Sequence, residues 1–348
     1  MPETLPADWY VDDAVHARER SAIFAPNWCL FAPEADFAAT GDWRAERVNG
    51  WPVFVIRGKD GVLRGFHNVC RHRAAALLAD GEGSCNMLRC PYHRWTYDLA
   101  GRLKVAPDFG DDPGFDRADY GLFALRVETW RGLVFVCIDQ SAPDLLAWLG
   151  TIPELCARYP GPPELTFGGE FTVTGAANWK TYCDNTVEGY HLPTVHQRLA
   201  AAVVGDAVEI RPYDDGRLIA FHVRYAGAAD GARLRGDDGL WFYRFPGFQV
   251  TASARAFKAE RIEPDGPGRL KSLNWMWFAD VPAAERDAAF AWAREIVEQD
   301  MGICETVQRN LAVGVYTAGR LSPVQESNVV LFQNQVRAAL GAPPEPVP

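Results

Sequence analysis

The chain has 348 residues, 48% hydrophobic and 23% charged, with a net charge of −10. That is enough for about two domains of ordinary soluble composition. The negative balance excludes nucleic acid and anionic membrane surfaces as main partners, no apolar run of about eighteen residues signals a membrane span, and Met1-Pro2-Glu3-Thr4 opens no signal peptide.

Residues 8–27 predict a helix, with Asp12, Asp13 and Glu19 among Val15, Ile23 and Phe24. From Trp28 to about Asp139 the pattern turns to short strands. Trp51–Arg57 is an extended apolar run, Gly58-Lys59-Asp60-Gly61 a turn, and Val62–Phe66 the returning strand. Thr96–Leu103 carries a second hairpin signal, and Leu133–Ile138 reads as a buried strand. Pro160-Gly161-Pro162-Pro163 marks a boundary or tight connection. Beyond it Glu170–Thr174 alternates as a strand, and Asn178–His191 predicts a helix stopped by Pro193. Val208–Tyr213, Leu218–Tyr225, Trp241–Phe245, Phe248–Ala254, Phe257–Glu263 and Leu270–Phe278 then predict an antiparallel meander. Residues 283–313 predict a long helix with an apolar stripe of Ala293, Val297, Cys304, Val307 and Leu311. The Pro-rich tail from Gly341 reads as flexible.

Two loops carry the strongest chemical signal. Cys70-Arg71-His72 and Cys90-Pro91-Tyr92-His93 each offer one thiolate and one imidazole. Two Cys on one metal and two His on another is the ligand set of a Rieske [2Fe–2S] centre. A zinc site is the main competitor, but Cys₂His₂ zinc sites usually group like with like. The eight cysteines are otherwise scattered singly among apolar neighbours, which suits reduced thiols in a cytoplasmic setting better than a disulfide scaffold.

A second constellation is Glu188, His191 and His196, with Pro193 turning the chain between the two histidines. Asp300 falls inside the apolar stripe of the long helix, where a carboxylate is expensive unless paired or metal-bound. Two His and one carboxylate make the facial triad of non-haem Fe(II) oxygenases. The competing reading pairs Asp300 with an arginine such as Arg309 and leaves Glu188 as a solvated helix residue. One-electron carriage and O₂ activation have a shared logic, because O₂ activation needs electrons delivered singly.

With Asn68–Arg73, Cys90–Trp95, Asn178-Trp179-Lys180, Asp184-Asn185, Glu188–His196 and Gln299-Asp300 in place, the chain resembles the catalytic alpha subunit of Rieske non-haem iron oxygenases over nearly its whole length. The resemblance implies an α+β fold in which an all-β Rieske domain is inserted into a helix-grip catalytic domain. The expected division is a helical segment 1–27 packing with the catalytic domain, the Rieske domain at 28–140, the catalytic domain at 141–340 and the tail at 341–348. It implies a homotrimer using O₂ and electrons from a separate NAD(P)H reductase or ferredoxin, since the chain has no dinucleotide fingerprint. By similarity Glu188 bridges His191 to His93 of the neighbouring subunit, and Asn185 lies near the iron.

Two positions depart from the commonest family pattern. Glu188 stands where ring hydroxylases mostly carry Asp, as in the choline, glycine betaine and carnitine monooxygenase branch. Arg94 stands where Gly usually follows the second cluster His. Arg71, Arg73 and Arg94 form a candidate docking patch for an acidic electron donor. Trp241, Tyr243, Phe245, Trp275 and Trp277 are candidate pocket aromatics, suited to a flat ring or to a quaternary ammonium. Arg211, Arg217 and Arg224 are candidate anchors for a carboxylate. The expected function is monooxygenation of a small organic substrate, with N- or O-dealkylation as an outcome. The alternatives are an aromatic ring dioxygenase and, from another class, an electron-transfer Rieske protein with a non-catalytic ligand-binding domain.

Overall fold

The computed structural model describes residues 2–109, 112, 114–225 and 237–348. They divide into two units, one of residues 25–145 and one of residues 1–24 with 146–348. None of the described helices is long and apolar enough to cross a membrane.

The smaller unit is all-β apart from short 3₁₀ turns. Its strands are β1 (Cys29–Pro33), β2 (Asp42–Val48), β3 (Trp51–Arg57), β4 (Leu63–His67), β5 (Gly81–Ser84), β6 (Leu88–Arg89), β7 (Thr96–Tyr97), β8 (Leu103–Val105), β9 (Ala124–Trp130) and β10 (Leu133–Cys137). They form an antiparallel sheet in the order β1-β10-β9-β4-β3-β2-β5 and a three-stranded sheet β6-β7-β8. The apolar run Val53-Phe54-Val55-Ile56 is fully buried because β3 faces a core on both sides. Val53 and Val55 join Phe31, Val134 and Val136, while Phe54 and Ile56 join Phe66, Trp95 and Tyr97 with Cys70 and Cys90.

The larger unit holds β11 (Thr166–Gly175), β12 (Val203–Tyr213), β13 (Leu218–Tyr225), β14 (Asp238–Arg244), β15 (Phe248–Ser253), β16 (Ala256–Pro264) and β17 (Leu270–Phe278). The order β11-β17-β16-β15-β14-β13-β12 is the expected meander, with β11 added at its far edge. A helix spans Ala283–Ala312, 30 residues, which is about 45 Å of rod. It approaches β11 so closely that a Cβ on Gly175 would lie 1.9 Å from Met301 Sδ. Its buried face runs through Val297, Met301, Cys304, Gln308 and Leu311, so Val307, expected inside the stripe, is 40% exposed.

Three sequence expectations change. The N-terminal helix is only Asp13–Glu19, capped by the Asp12 side chain and followed by a π-type turn at Arg20–Phe24. The helix expected to reach His191 covers Trp179–Thr186 only, and Pro193 lies in the first turn of a new one-turn helix, Leu192–Val195. A C-terminal helix, Ser327–Ala339, had not been foreseen. The tail beyond it has no regular structure, yet Asn334 holds Glu345 by two hydrogen bonds.

Candidate metal centres

The two cluster loops have one architecture. In the first, Cys70 N–H donates to Ala75 O, and Ala74 N–H returns to Cys70 O; in the second, Cys90 N–H donates to Trp95 O, and Arg94 N–H to Cys90 O. The fourth residue after each Cys takes a left-handed conformation, Ala74 at φ 57° and Arg94 at φ 61°. This explains the departure at Arg94: glycine adopts that conformation at little cost, and a side chain there is strained by roughly 1–2 kcal/mol. Asn68 pins the first loop, accepting from Leu77 and Leu78 N–H and donating to Leu78 O.

The loops bring their donors together. The His72 and His93 rings lie 4.6 Å apart between centroids. Each has a buried Nδ1 without a hydrogen-bond partner, which is what an imidazole reserved for a metal leaves behind. Cys70 and Cys90 are buried free thiols, and Tyr97 OH lies 3.5 Å from Cys70 Sγ. Burial, then His93 and Arg73, lowers the pKa of His72, favouring the neutral ring that binds metal. Trp95 stacks on His72 at 4.9 Å with planes 7° apart and shields it from water. The donor set therefore fits a His₂Cys₂ cluster.

Of the three arginines expected to dock a partner, Arg71 is already committed. Its guanidinium donates to Gly121 O and Asp119 O and lies 4.4 Å over Phe123. Arg73 and Arg94 are exposed, with Arg73 over the Tyr92 ring at 5.2 Å. Asp98 pairs with Arg102 rather than with either of them.

The second centre starts from the helix Trp179–Thr186. Asn178 caps it, its side chain accepting from Lys180 N–H. Trp179 Nε1 and Lys180 Nζ both donate to Glu19, at 2.9 and 2.5 Å, in a wholly buried pair. The Asn178-Trp179-Lys180 motif is thus a foundation that sets the helix carrying Asp184 and Asn185. After Thr186 the chain leaves the helix, and Glu188 folds back to accept from the backbone N–H of Tyr190 and of His191 at 3.2 Å. Glu188 and His191 meet through this turn, not through a shared helix face.

His191, His196 and Asp300 each offer a ligand atom, all within 4.8 Å of one another. Glu188 Oε1 lies 2.5 Å from His191 Nδ1, and Gln299 Oε1 lies 2.8 Å from His196 Nδ1. Both Nδ1 positions thereby hold the proton, and both Nε2 atoms face Asp300 Oδ1, at 3.5 and 2.8 Å. Asn185 Nδ2 donates to the same oxygen at 2.6 Å. Burial pulls the His196 pKa down, but Asp300, then Gln299 and Glu188, outweigh it and leave it raised. Asp300 does not pair with Arg309, and the three donors fit a facial-triad iron. The orienting role of Gln299 had not been foreseen; its position directly before Asp300 was the available signal.

The triad opens on a cavity of about 150 Å³ walled by Phe221, Trp241, Phe242, Met276, Phe278 and Trp292. Trp241 and Tyr243 line it as expected. Phe245, Trp275 and Trp277 do not. Phe245 packs on Trp179 and Phe332, Trp275 donates to Glu170, and Trp277 packs on Phe167 and Phe257. On β17 it is Met276 and Phe278 that line the cavity. Arg211, Arg217 and Arg224 are exposed and line no part of it, Arg211 being paired with Glu209. A second cavity of about 420 Å³ is lined by Tyr10, Asp184, Asn185, Glu188 and Gln333 among others.

Comparison with known proteins places the chain in a family. Residues 27–120 match the model of the Rieske [2Fe-2S] domain, and residues 163–342 that of the ring hydroxylating alpha subunit (catalytic domain). The carnitine monooxygenase oxygenase subunit of Acinetobacter pittii is 28% identical, over 96% of this chain and 94% of its own length. The chloroplastic choline monooxygenase of Spinacia oleracea is 26% identical, over 93% and 75%. A solved quaternary ammonium Rieske monooxygenase superposes with a TM-score of 0.87 at 26% identity, over 97% of this chain and 95% of that one. A Rhodococcus naphthalene 1,2-dioxygenase shares the fold at a TM-score of 0.79 and 20% identity, over 98% and 95%.

Proposed function

This chain belongs to the ring-hydroxylating alpha-subunit family with its Rieske [2Fe–2S] domain, and from that premise we propose that it is a monooxygenase acting on a small alkylammonium substrate. As a Rieske oxygenase it works with a [2Fe–2S] cluster and a mononuclear iron. In our reading Cys70, His72, Cys90 and His93 hold the cluster, and His191, His196 and Asp300 hold the iron. Held by those residues, a cluster would supply electrons singly and an iron would supply O₂ activation.

The protein's own part is orientation and exclusion. Glu188 and Gln299 keep the proton on each Nδ1, so that each Nε2 is presented to the metal. Asn185 steadies Asp300. Phe221, Trp241, Phe242 and Trp292 exclude water and offer ring faces to a quaternary ammonium. A C–H bond next to nitrogen is then the reacting group, and its hydroxylation ends in dealkylation. The size of the cavity supports a small substrate, well below the roughly 300 Å³ of a drug-sized site. Monooxygenase relatives at 26–28% identity over nearly the whole chain favour this reading over ring dihydroxylation.

We propose further that the enzyme is a cytoplasmic homotrimer reduced by a separate NAD(P)H-dependent reductase or ferredoxin, with Glu188 linking His191 to the next subunit's cluster. Eight free cysteines support a reducing compartment. Exposed Arg73 and Arg94 beside the cluster loops support docking by charge. Arg94→Glu should slow reduction by the partner at low salt, and an unchanged rate removes that docking role.

The observation that carries the proposal is the triad with both outer nitrogens already bonded. Its test is iron analysis with O₂ uptake. About three irons per chain are expected, with NADH and O₂ consumption dependent on a trimethylammonium substrate and a surrogate reductase. About two irons and no uptake would instead make the protein an electron carrier.

A further inference from the structure

One ion pair in the cavity wall plays no part in the chemistry above. Lys258 and Glu260 lie two apart on β16, so both face the cavity. Lys258 Nζ donates to Glu260 Oε2 at 2.6 Å and to Asn274 Oδ1 at 3.0 Å. Glu260, 1% exposed, also accepts at Oε1 from Ser272 Oγ at 2.6 Å and Tyr182 OH at 3.2 Å. Asn274 Nδ2 donates to Ser272 Oγ at 2.8 Å. The network is fixed from behind by two strands and the helix under the triad, so the ammonium group is held in one place.

An ammonium group has three donors, and two of these are used. Among the described residues the third N–H has no partner, and the side chain is only 14% exposed. A part-buried donor facing a cavity is well placed to take a ligand's acceptor. Among the described residues lining the cavity, Lys258 is the only lysine or arginine. Glu260 is engaged within the network, its Oε1 accepting from Ser272 and Tyr182 and its Oε2 from Lys258. The pair therefore presents a donor and a positive end to the cavity, facing aromatic walls that suit a cation.

We infer that Lys258 is a specificity residue that anchors a carboxylate on the substrate, so that the cavity selects zwitterionic trimethylammonium carboxylates over the matching alcohols. The inference rests on the proposed alkylammonium reading for the other end of the substrate. It replaces Arg211, Arg217 and Arg224, which lie outside the cavity, as the carboxylate partner.

The test is anaerobic calorimetric titration of the metal-loaded holoenzyme with gamma-butyrobetaine, its alcohol analogue and hexanoate. The wild type should bind gamma-butyrobetaine about 10-fold or more tighter than the alcohol, as a charge-assisted hydrogen bond allows. Lys258→Met should weaken gamma-butyrobetaine by roughly 10- to 100-fold and leave the alcohol unchanged. Because that variant strands a buried carboxylate, the neutral double variant Lys258→Met/Glu260→Gln is measured beside it and should show the same lost preference. Equal affinity of the wild type for the two ammonium compounds, or an equal loss of both in the double variant, would overturn the anchor and leave the alkylammonium reading standing. Binding of hexanoate alone, lost in the double variant, would keep the anchor and overturn the alkylammonium reading. Binding of none of the three overturns both.

Discussion

The two candidate metal centres of this chain are built on opposite plans. The proposed cluster donors come from two loops within the stretch Cys70–His93, and each loop closes on its own backbone. The triad joins a turn at Glu188–His191 to Asp300, with His196 and that carboxylate 104 positions apart in sequence. A local motif needs only its hairpin core; a long-range site needs every element beneath it to be in register. The difference teaches where each centre is vulnerable. Changes at the cluster act on its own loops, whereas the triad fails when any of several distant supports moves.

The sharpest way to break that comparison is to remove one centre and keep the other. Asp300→Ala should bring turnover to background and remove about one iron in three, while the visible spectrum of the cluster survives. If the spectrum is lost as well, the two centres are not independent folding problems. Next in size is the foundation of the iron site. Glu19→Ala leaves Lys180 buried without its counter-charge, and urea unfolding should report a loss of about 3–5 kcal/mol. The cluster should keep its colour until the global transition; early bleaching would show that the foundation serves both units.

The pH dependence sharpens the same contrast. Burial, against hydrogen bonds from Gln333 and Tyr10 and the charge of Lys180, holds the Asp184 carboxyl at about 7, and Glu326 adds to the rise. The folded pKa lies above the unfolded one, so the folded state binds the extra proton. The stability this contributes is fully present below the ordinary carboxylate range and is lost as pH rises towards 7. Asp184→Asn should remove roughly 2–4 kcal/mol of that decline, read from urea midpoints at a series of pH values. A variant with the wild-type slope would assign the decline elsewhere. The smallest effect is local to the cluster loops. Arg94→Gly relieves the left-handed strain and should stabilise the protein by about 1 kcal/mol. If Arg94 also docks the electron donor, the same variant should be reduced more slowly at low salt.

Much of this was legible in the chain, for reasons that differ from residue to residue. Cys70, His72, Cys90 and His93 stood out as candidates because their spacing is local, and the structure brings the two imidazoles together. His191, His196 and Asp300 stood out as candidates because a carboxylate in an apolar stripe and two closely spaced histidines are each out of place, and the structure brings the three together. The helix before them was read too long. Nothing in Asn178–His191 signals that Glu188 will turn its carboxylate back onto the backbone and end the helical course after Thr186. The helix Ser327–Ala339 was missed because Asn328, Gln333 and Arg337 interrupt its apolar stripe. The fold buries them, and Gln333 bonds Leu5 N–H, Tyr10 and Asp184.

The aromatic wall shows the limit most clearly. Alternation along β17 says that Trp275 and Trp277 share one face and Met276 and Phe278 the other. It does not say which face meets the cavity, because that depends on what packs against the strand. Lys258 gave no warning at all, being one of four charged residues on its strand, with nothing in their order to say which of them meets the cavity. By itself, then, the order of residues determined the chemistry on offer: which donors exist, at what short spacing, on strands, turns or helices. Only the folded chain decided which of them face one another. Direction in space is set by the packing of distant segments, and no periodicity of 2 or 3.6 along a single segment contains it.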